Sequence, residues 1–152
     1  AMATESVLRR LRENTSSTLL LAAVQGGVFA EGVDYPGPLA IGAFIVGPGL
    51  PQVSPEQKIL EAYYEQTDGK GKGFELASVV PGMIRAVQAA GRVIRTETDT
   101  GFIMLIGRRF THKLYRTKFP TFWESDLRIT EDPIPLLADF WKRVDARKTS
   151  SP

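Results

Sequence analysis

Three short runs of apolar residues punctuate the chain, and each is bounded by glycine or by polar turn residues. Continuous apolar runs of this length are typical of parallel strands that are buried on both faces. The pattern therefore predicts three strands, Thr18 to Gln25, Ala40 to Gly47 and Gly101 to Gly107. Segments of helical character separate the second strand from the third.

The clearest helix start is Ser54-Pro55-Glu56-Gln57. Ser54 suits the N-cap, Pro55 the first helical position and Gln57 the end of a capping box, and the helix is expected to reach about Gln66. Further helices are predicted over residues 5–13, 109–117 and 134–147. Alternating strands and helices predict an α/β fold, a mainly parallel sheet flanked by helices. Ligands of such sheets bind beyond the carboxyl ends of the strands, so segment 25–34 and Arg108-Arg109 are predicted to share one edge.

The most distinctive helical pattern opens at Pro81-Gly82 and runs through the sequence QAAGRVIR. At about 100° per residue, one narrow stripe of this helix contains Arg85, Gln88, Arg92 and Arg95. The apolar residues that fall nearly opposite are Met83, Val87, Ala90 and Ile94. A glycine in mid-helix, here Gly91, costs about 1 kcal/mol relative to alanine. That cost is explained if a ligand approaches the backbone beside Arg92.

A solvated amphipathic helix is the alternative reading of this stripe. Solvated faces normally mix both signs of charge so that i,i+4 pairs form, yet no Asp or Glu occurs between Glu75 and Glu97. The segment from Arg85 to Lys118 holds eight Lys or Arg against two acids, although the whole chain has a formal charge of only +2. Such a concentrated basic segment indicates a polyanionic partner, a nucleotide or a nucleic acid.

The 152 residues suit one domain, and 43% hydrophobic residues can form a core. We expect a domain over residues 4–147, preceded by a cloning remnant at 1–3 and followed by a flexible tail at 148–152. With no cysteine, the chain has no disulfide, cysteine-ligated metal or iron–sulfur cluster of its own. The apolar run after Thr18 breaks at Gln25-Gly26-Gly27, too soon for a signal peptide, so no membrane partner is expected.

The run QAAGRVIR resembles motif VI of the superfamily 2 helicases, whose pattern QxxGRxxR is met by Gln88, Gly91, Arg92 and Arg95. Upstream, GVFAEGVDYPG resembles motif V of the same proteins. The similarity is strongest to the group that includes XPD and DinG-like helicases, and it covers roughly residues 18–123. It implies the later part of a second, RecA-like motor domain of a DNA helicase.

The resemblance also implies roles for individual residues. Arg92 and Arg95 are the candidate arginine fingers that stabilise charge on the transferred phosphoryl group of ATP, and Gln88 helps to position the nucleotide or the attacking water. In motif V, Glu31, Gly32 and Asp34 belong to the nucleotide side. Contacts with the nucleic acid are expected from Gly26, Gly27, Arg108 and Arg109. Arg85 lies outside the motif and is either a surface residue or a further nucleic-acid contact.

Several elements of a complete motor do not occur in this sequence. There is no G-x-x-x-x-G-K-[ST] phosphate loop, and motif IV is absent. We therefore expect ATP and Mg²⁺ to be held mainly by an upstream motor domain of the same polypeptide, often accompanied by an iron–sulfur cluster in this group. Single-stranded DNA, translocated 5′ to 3′, is the expected partner. The isolated chain is expected to be inactive, and its location to be cytoplasmic and nucleoid-associated in a prokaryote or nuclear in a eukaryote.

Two other functions fit the same sequence. One is a non-catalytic nucleic-acid-binding domain, which needs only the basic segment. The other is a protein-interaction domain that presents the helix at 134–147. Glu31 and Asp34 lack the further ligands that a metal site needs, so none is predicted. Phe110 is expected in the core and His112 on the surface. Core packing is favoured over base stacking for five other aromatic residues, Phe119, Phe122, Trp123, Phe140 and Trp141.

Overall fold

The computed structural model describes residues 2–13, 17–33, 35, 39–94, 96 and 98–149; for residues 2, 3, 31, 148 and 149 it describes the main chain only. The chain forms two compact units, one that ends at Phe119 and one that begins at Pro120. No helix among the described residues is both long and apolar enough to cross a bilayer.

The first unit contains a parallel pair of strands, β1 (Gly42–Val46) and β2 (Phe102–Ile106), with Gly42 opposite Phe102 and Val46 opposite Ile106. These strands confirm two of the three predicted ones and agree with an α/β fold. In β1, however, Ile45 is buried whereas Val46 is 72% exposed, so the expected burial on both faces is wrong for this strand.

The predicted strand from Thr18 to Gln25 is wrong, because the described part of this segment is irregular. Its apolar residues face solvent, with Leu20 85% and Val24 80% exposed. A strand of this composition is stable only when a neighbouring strand pairs with it and other elements cover it. Among the described residues, β1 and β2 pair only with each other.

Two predicted helices occur, and one of them confirms its start signal. Helix α1 (Met2–Glu13) begins three residues before the predicted start at residue 5, and α2 (Pro55–Thr67) follows β1 as expected. The Ser54 hydroxyl accepts a hydrogen bond from the Gln57 backbone N–H at 3.2 Å, which is the N-cap that the sequence predicts. The Gln57 side chain is directed to another element: it donates to the Ala77 carbonyl at 2.7 Å and to the Ser78 hydroxyl at 3.1 Å.

The helical segment that carries the arginines starts earlier than predicted. It begins with α3 (Lys72–Phe74), continues through a π-helical turn (Glu75–Val79) and passes into α4 (Val80–Ala90). Pro81 therefore lies inside the segment instead of opening it. Proline has no N–H to donate to a carbonyl in the preceding turn, and the π-helical turn ahead of α4 accommodates this interruption.

Helix α4 supplies the centre of the core. Met83, Ala86 and Ala90 are each at most 1% exposed. Gly82 allows close packing against the chain after β1, since a Cβ atom at this position would lie 2.7 Å from the Leu50 side chain and 3.1 Å from its backbone. The helix is thereby packed against the segment that leaves the carboxyl end of β1.

Glu75, in the π-helical turn, is the centre of an ion cluster. Its carboxylate oxygens lie 2.6 Å from Lys118 Nζ and 2.7 Å from Lys72 Nζ. These hydrogen bonds from Lys118 and Lys72 lower the pKa of Glu75 to about 2. The cluster fixes the start of the arginine-bearing segment to the end of the basic stretch.

The ion cluster predicts a dependence of stability on acid. Because the pKa of Glu75 falls from 4.5 to about 2 on folding, its stabilisation is complete above pH 4.5 and is lost as the pH falls through about 2. We expect Glu75→Gln to flatten this part of the curve of unfolding free energy against pH, and to cost about 0.5–1 kcal/mol at pH 7. Urea denaturation at each pH measures the effect. Glu124→Gln, at an exposed carboxylate of the other unit, is the control; an equal change in both variants would contradict the prediction.

The rest of the first unit follows β2. A 3₁₀ turn (Arg108–Thr111) and α5 (Lys113–Arg116) form the predicted basic helical stretch. Phe110 is 5% exposed, which confirms it as a core residue, and its ring centroid lies 6.2 Å from that of Phe119.

The second unit contains a 3₁₀ turn (Thr121–Trp123) and the predicted C-terminal helix, α6 (Ile134–Thr149). The rings of Phe122 and Trp123 form one edge-on pair, and those of Phe140 and Trp141 form another. Phe122 is 75% exposed, so the expectation that it packs in a core is wrong. With only a short turn and one helix, the described part of this unit has little apolar surface with which to cover it.

Candidate nucleotide and nucleic-acid site

The end of α4 changes the predicted arginine stripe. The helix stops at Ala90, and Gly91 is its C-cap with φ −65° and ψ −3°. Arg92 lies in the following turn, where its backbone N–H donates to the Ala89 carbonyl at 3.2 Å. The prediction of one helix through residue 95, with a glycine in its middle, is therefore wrong. Because the phase changes at this turn, Ile94, which was predicted on the apolar face, is 41% exposed, and its neighbour Val93 is buried instead.

The other members of the stripe can now be placed. Arg85 and Gln88 remain on α4, three residues apart and hence on one face, and Gln88 is exposed. Arg92 is half-buried in the turn after the helix, and Arg95 lies outside the described residues. Of the predicted stripe, the structure therefore places Arg85 and Gln88 on the helix and Arg92 in the turn that follows it.

The motif V segment is a compact turn. Gly26 has a φ of +82°, and Gly27 donates its N–H to the Val24 carbonyl at 2.9 Å. The chain then enters a π-helical turn (Val28–Gly32), after which Val33 is extended and buried. Gly32 has no positive φ, so the left-handed conformation that favours glycine occurs in this segment at Gly26.

The two acids of motif V are less fully placed. The backbone of Glu31 belongs to the π-helical turn, but its side chain is not among the described ones, and Asp34 lies outside the described residues. Their predicted contacts with a nucleotide stay predictions.

Motifs V and VI meet in the folded chain. The π-helical turn Val28–Gly32 packs against α4. Tyr35, just after the turn, donates its hydroxyl hydrogen to the Phe29 carbonyl at 2.9 Å. Burial raises the pKa of Tyr35, and the positive charge of Arg92 opposes that rise, so Arg92 lies within electrostatic range of the phenol. Tyr35 was not singled out by sequence reasoning, because its proximity to Arg92 arises only from the packing of the two motifs.

A second junction lies at the carboxyl edge of the strands. The Gln25 side-chain amide donates to the Gly47 carbonyl at 2.8 Å. Gly47 follows β1 and lies against Gly107, which follows β2: a Cβ atom at Gly107 would be 3.7 Å from the Gly47 Cα. Arg108 and Arg109 come next and are both exposed. Gln25, which precedes the Gly26-Gly27 pair, therefore meets the ends of both strands at this edge.

The same edge connects to α4 through Gly49. The Arg85 guanidinium donates to the Gly49 carbonyl at 3.2 Å. A Cβ atom at Gly49 would lie 2.6 Å from Gln25 Oε1 and 3.3 Å from Arg85 Cβ, so Gly49 is held tightly between the two side chains. Sequence reasoning missed Gln25 and Gly49, although a glycine-rich turn directly after an apolar strand is a signal for such a contact.

The remaining sequence candidates add little to this site. His112 is exposed, as expected of a surface histidine. Among the residues that the structure describes, no cluster of three or more His, Cys, Asp or Glu could hold a metal ion. The groups available for chemistry here are guanidiniums, amides and backbone N–H groups, which suit the binding of phosphate oxygens.

The model of the helicase C-terminal domain family matches residues 1–126. The chain therefore belongs to the helicase C-terminal domain family. Among its relatives are two helicases, and their similarity confirms the resemblance to a C-terminal domain of the DinG and XPD type.

The first relative is a probable ATP-dependent helicase of Methanocaldococcus jannaschii, 37% identical over 91 residues that cover 55% of this chain. The second is the ATP-dependent DNA helicase DinG of Photobacterium profundum, 30% identical over 109 residues that cover 71% of this chain. The matched parts span only 14% and 16% of these two relatives.

Proposed function

We propose that this chain is the arginine-bearing part of the second motor domain of an ATP-dependent DNA helicase. It closes over ATP and Mg²⁺ held by an upstream motor domain and contacts single-stranded DNA. Hydrolysis alternately closes and opens the two domains and moves the strand 5′ to 3′. The observation that carries the proposal is the packing of the motif V turn against α4, the helix that leads directly into Arg92.

Two arginines have the central catalytic role in this proposal. Charge on the γ-phosphoryl oxygens rises during transfer, and a planar, permanently charged guanidinium stabilises it without proton exchange. Arg92 and Arg95 supply these guanidiniums, and Gln88 orients the nucleotide or the attacking water. Arg92 is half-buried in the turn after α4, a position that restricts the side chain and so favours a fixed geometry toward the nucleotide.

The motif V residues act on both ligands. Glu31, Gly32 and Asp34 are assigned to the nucleotide, and the Gly26-Gly27 pair, which has no side chains, lets a DNA phosphate approach the main chain. The exposed Arg108 and Arg109 contact the same strand beyond the end of β2. Since the chain lacks a phosphate loop, the isolated chain is inactive. ATP turnover requires a longer polypeptide, in which the upstream motor domain precedes this chain; it is called the longer polypeptide below.

The test is ATP hydrolysis by the longer polypeptide with and without single-stranded DNA, for the wild type and for Arg95→Ala. We expect DNA-stimulated turnover in the wild type and a loss of at least about 10³-fold in the variant, because an arginine finger contributes this much to the rate. The strand affinity of the variant should change little, as Arg95 is assigned to the nucleotide. Turnover that is indifferent to Arg95 would contradict the proposal.

A non-catalytic nucleic-acid-binding domain is the second candidate. The exposed Arg108-Arg109 pair favours it, because this pair could bind phosphates without any ATP chemistry. It predicts strand binding with a steep dependence on salt but no ATP hydrolysis by the longer polypeptide. The same hydrolysis experiment therefore separates the two functions.

A further inference from the structure

A solvent-open groove of about 380 Å³ lies at the carboxyl end of β1. Its volume falls within the range of about 300–1,000 Å³ that is typical of small-molecule sites. The lining residues that matter here are Gln25, Phe44, Val46, Pro48, Gly49 and Arg85. The groove thus joins the segment before motif V, the turn after β1 and the motif VI helix.

Charge in the groove comes from one residue. Arg85 is the sole charged side chain among the described residues of the lining, and no carboxylate accompanies it. Its bond to the Gly49 carbonyl occupies one of five guanidinium N–H donors, so others can bind an anion. A phosphate is the anion whose geometry matches this planar donor group.

The wall beside Arg85 is apolar and open. Phe44 is 48% exposed and Val46 is 72% exposed, although both lie on a strand. The Phe44 ring is held by an edge-on contact with Phe102, with ring centroids 5.4 Å apart. A fixed, half-exposed aromatic ring beside a cation suits a ligand with a flat apolar face and a negative charge.

The Gln25 side-chain amide is anchored at the turn after β1. Its Nε2 is bonded to the Gly47 carbonyl, but its Oε1 is buried and accepts no hydrogen bond from the described residues. This oxygen has almost no solvent-accessible surface and lies against Gly49, where a Cβ atom would be 2.6 Å from it. The Gln25 amide therefore holds the turn after β1 in place and does not itself bond a ligand.

We propose that this groove binds one nucleotide unit of a single DNA strand. The phosphate pairs with Arg85, and the base packs against Phe44 and Val46. Gln25 holds the turn after β1 that lines the groove between them. The inference rests on the proposed function and deepens it, because it gives the strand a defined subsite beside the segment that enters motif V and the helix that leads into motif VI. It also resolves the role of Arg85 in favour of nucleic-acid contact.

A pair of matched substitutions tests the groove. Val46 and Ile59 are 72% and 71% exposed, but only Val46 lines the groove. In the longer polypeptide, Val46→Glu should weaken binding of a fluorescein-labelled dT oligonucleotide by at least about 10-fold, because its carboxylate repels the phosphate at short range. Ile59→Glu adds the same charge on α2 and should change the affinity by less than about 2-fold, since salt screens distant charges.

The salt dependence gives a second measurement on a different residue. Arg85→Gln should reduce the slope of log affinity against log salt by about 0.7, the value for one phosphate contact on a single strand. Lys58→Gln, at an exposed lysine of α2, should leave the slope unchanged. Equal effects of Val46→Glu and Ile59→Glu, or an unchanged slope in Arg85→Gln, would overturn the subsite. Turnover that still depends on Arg95 would show that the proposed function survives that failure.

Discussion

Replacing Arg92 with alanine is expected to lower ATP hydrolysis by the longer polypeptide by about 10³- to 10⁵-fold. In the proposed function, Arg92 supplies the guanidinium at the place where negative charge develops on the γ-phosphoryl group, and the substitution removes it. Arg92→Lys should restore only a small part of the rate, because an ammonium group keeps the charge but not the planar pair of donors. Steady-state turnover at saturating ATP and DNA measures the effect.

Two further measurements distinguish this loss from a loss of folding. Arg12→Ala, at an exposed arginine on α1, should leave turnover within about 2-fold of the wild type, since surface substitutions are usually near neutral. The melting temperature of Arg92→Ala should stay within a few degrees of the wild-type value, because Arg92 lies in a turn outside the buried face of α4. Normal turnover in Arg92→Ala would remove Arg92 from the catalytic assignment.

The largest effect on stability is expected from Met83→Ala. Met83 is 1% exposed at the centre of the α4 face, and truncating a buried methionine costs about 2–5 kcal/mol through lost burial and the cavity left behind. The melting temperature of the chain should fall by at least about 5 °C.

Ile84→Ala is the matched control, because Ile84 is the next residue of the same helix and is 50% exposed. This substitution truncates a side chain of comparable size but leaves no enclosed cavity. In addition, alanine favours the helix slightly more than isoleucine does. Its cost should therefore stay below about 1 kcal/mol. Equal losses in the two variants, measured by thermal unfolding, would mean that the core is not centred on this face of α4.

Local signals in the sequence predicted several elements correctly. The Ser54-Pro55 start of α2, the strands β1 and β2 and the helix α6 all occur where the pattern places them. Each depends on the chemistry of a few adjacent residues: a capping hydroxyl, a run of β-branched and aromatic residues, or a helical repeat. The family resemblance depends on such short patterns too, and it is confirmed.

Features that depend on tertiary packing were not predictable in this way. The segment from Thr18 to Gln25 has a strand-like composition, but pairing is not encoded in the segment itself. The ending of α4 at Ala90 was also missed, because Gly91 reads equally as a mid-helix residue and as a C-cap. The electrostatic effect of Arg92 on Tyr35 and the placement of Gln25 beside Gly49 arise only when the chain folds.

The number of residues in the π-helical turn at Glu75–Val79 determines the direction in which the side chains of the following helix α4 project. Each residue advances a helix by about 100°, so one residue removed ahead of α4 would swing Arg85 and Gln88 by more than a quarter of a turn. The buried Ser78, whose hydroxyl donates to Glu61 at 2.9 Å, fixes that angle against α2. Insertions and deletions here should therefore be as damaging as substitutions of the arginines.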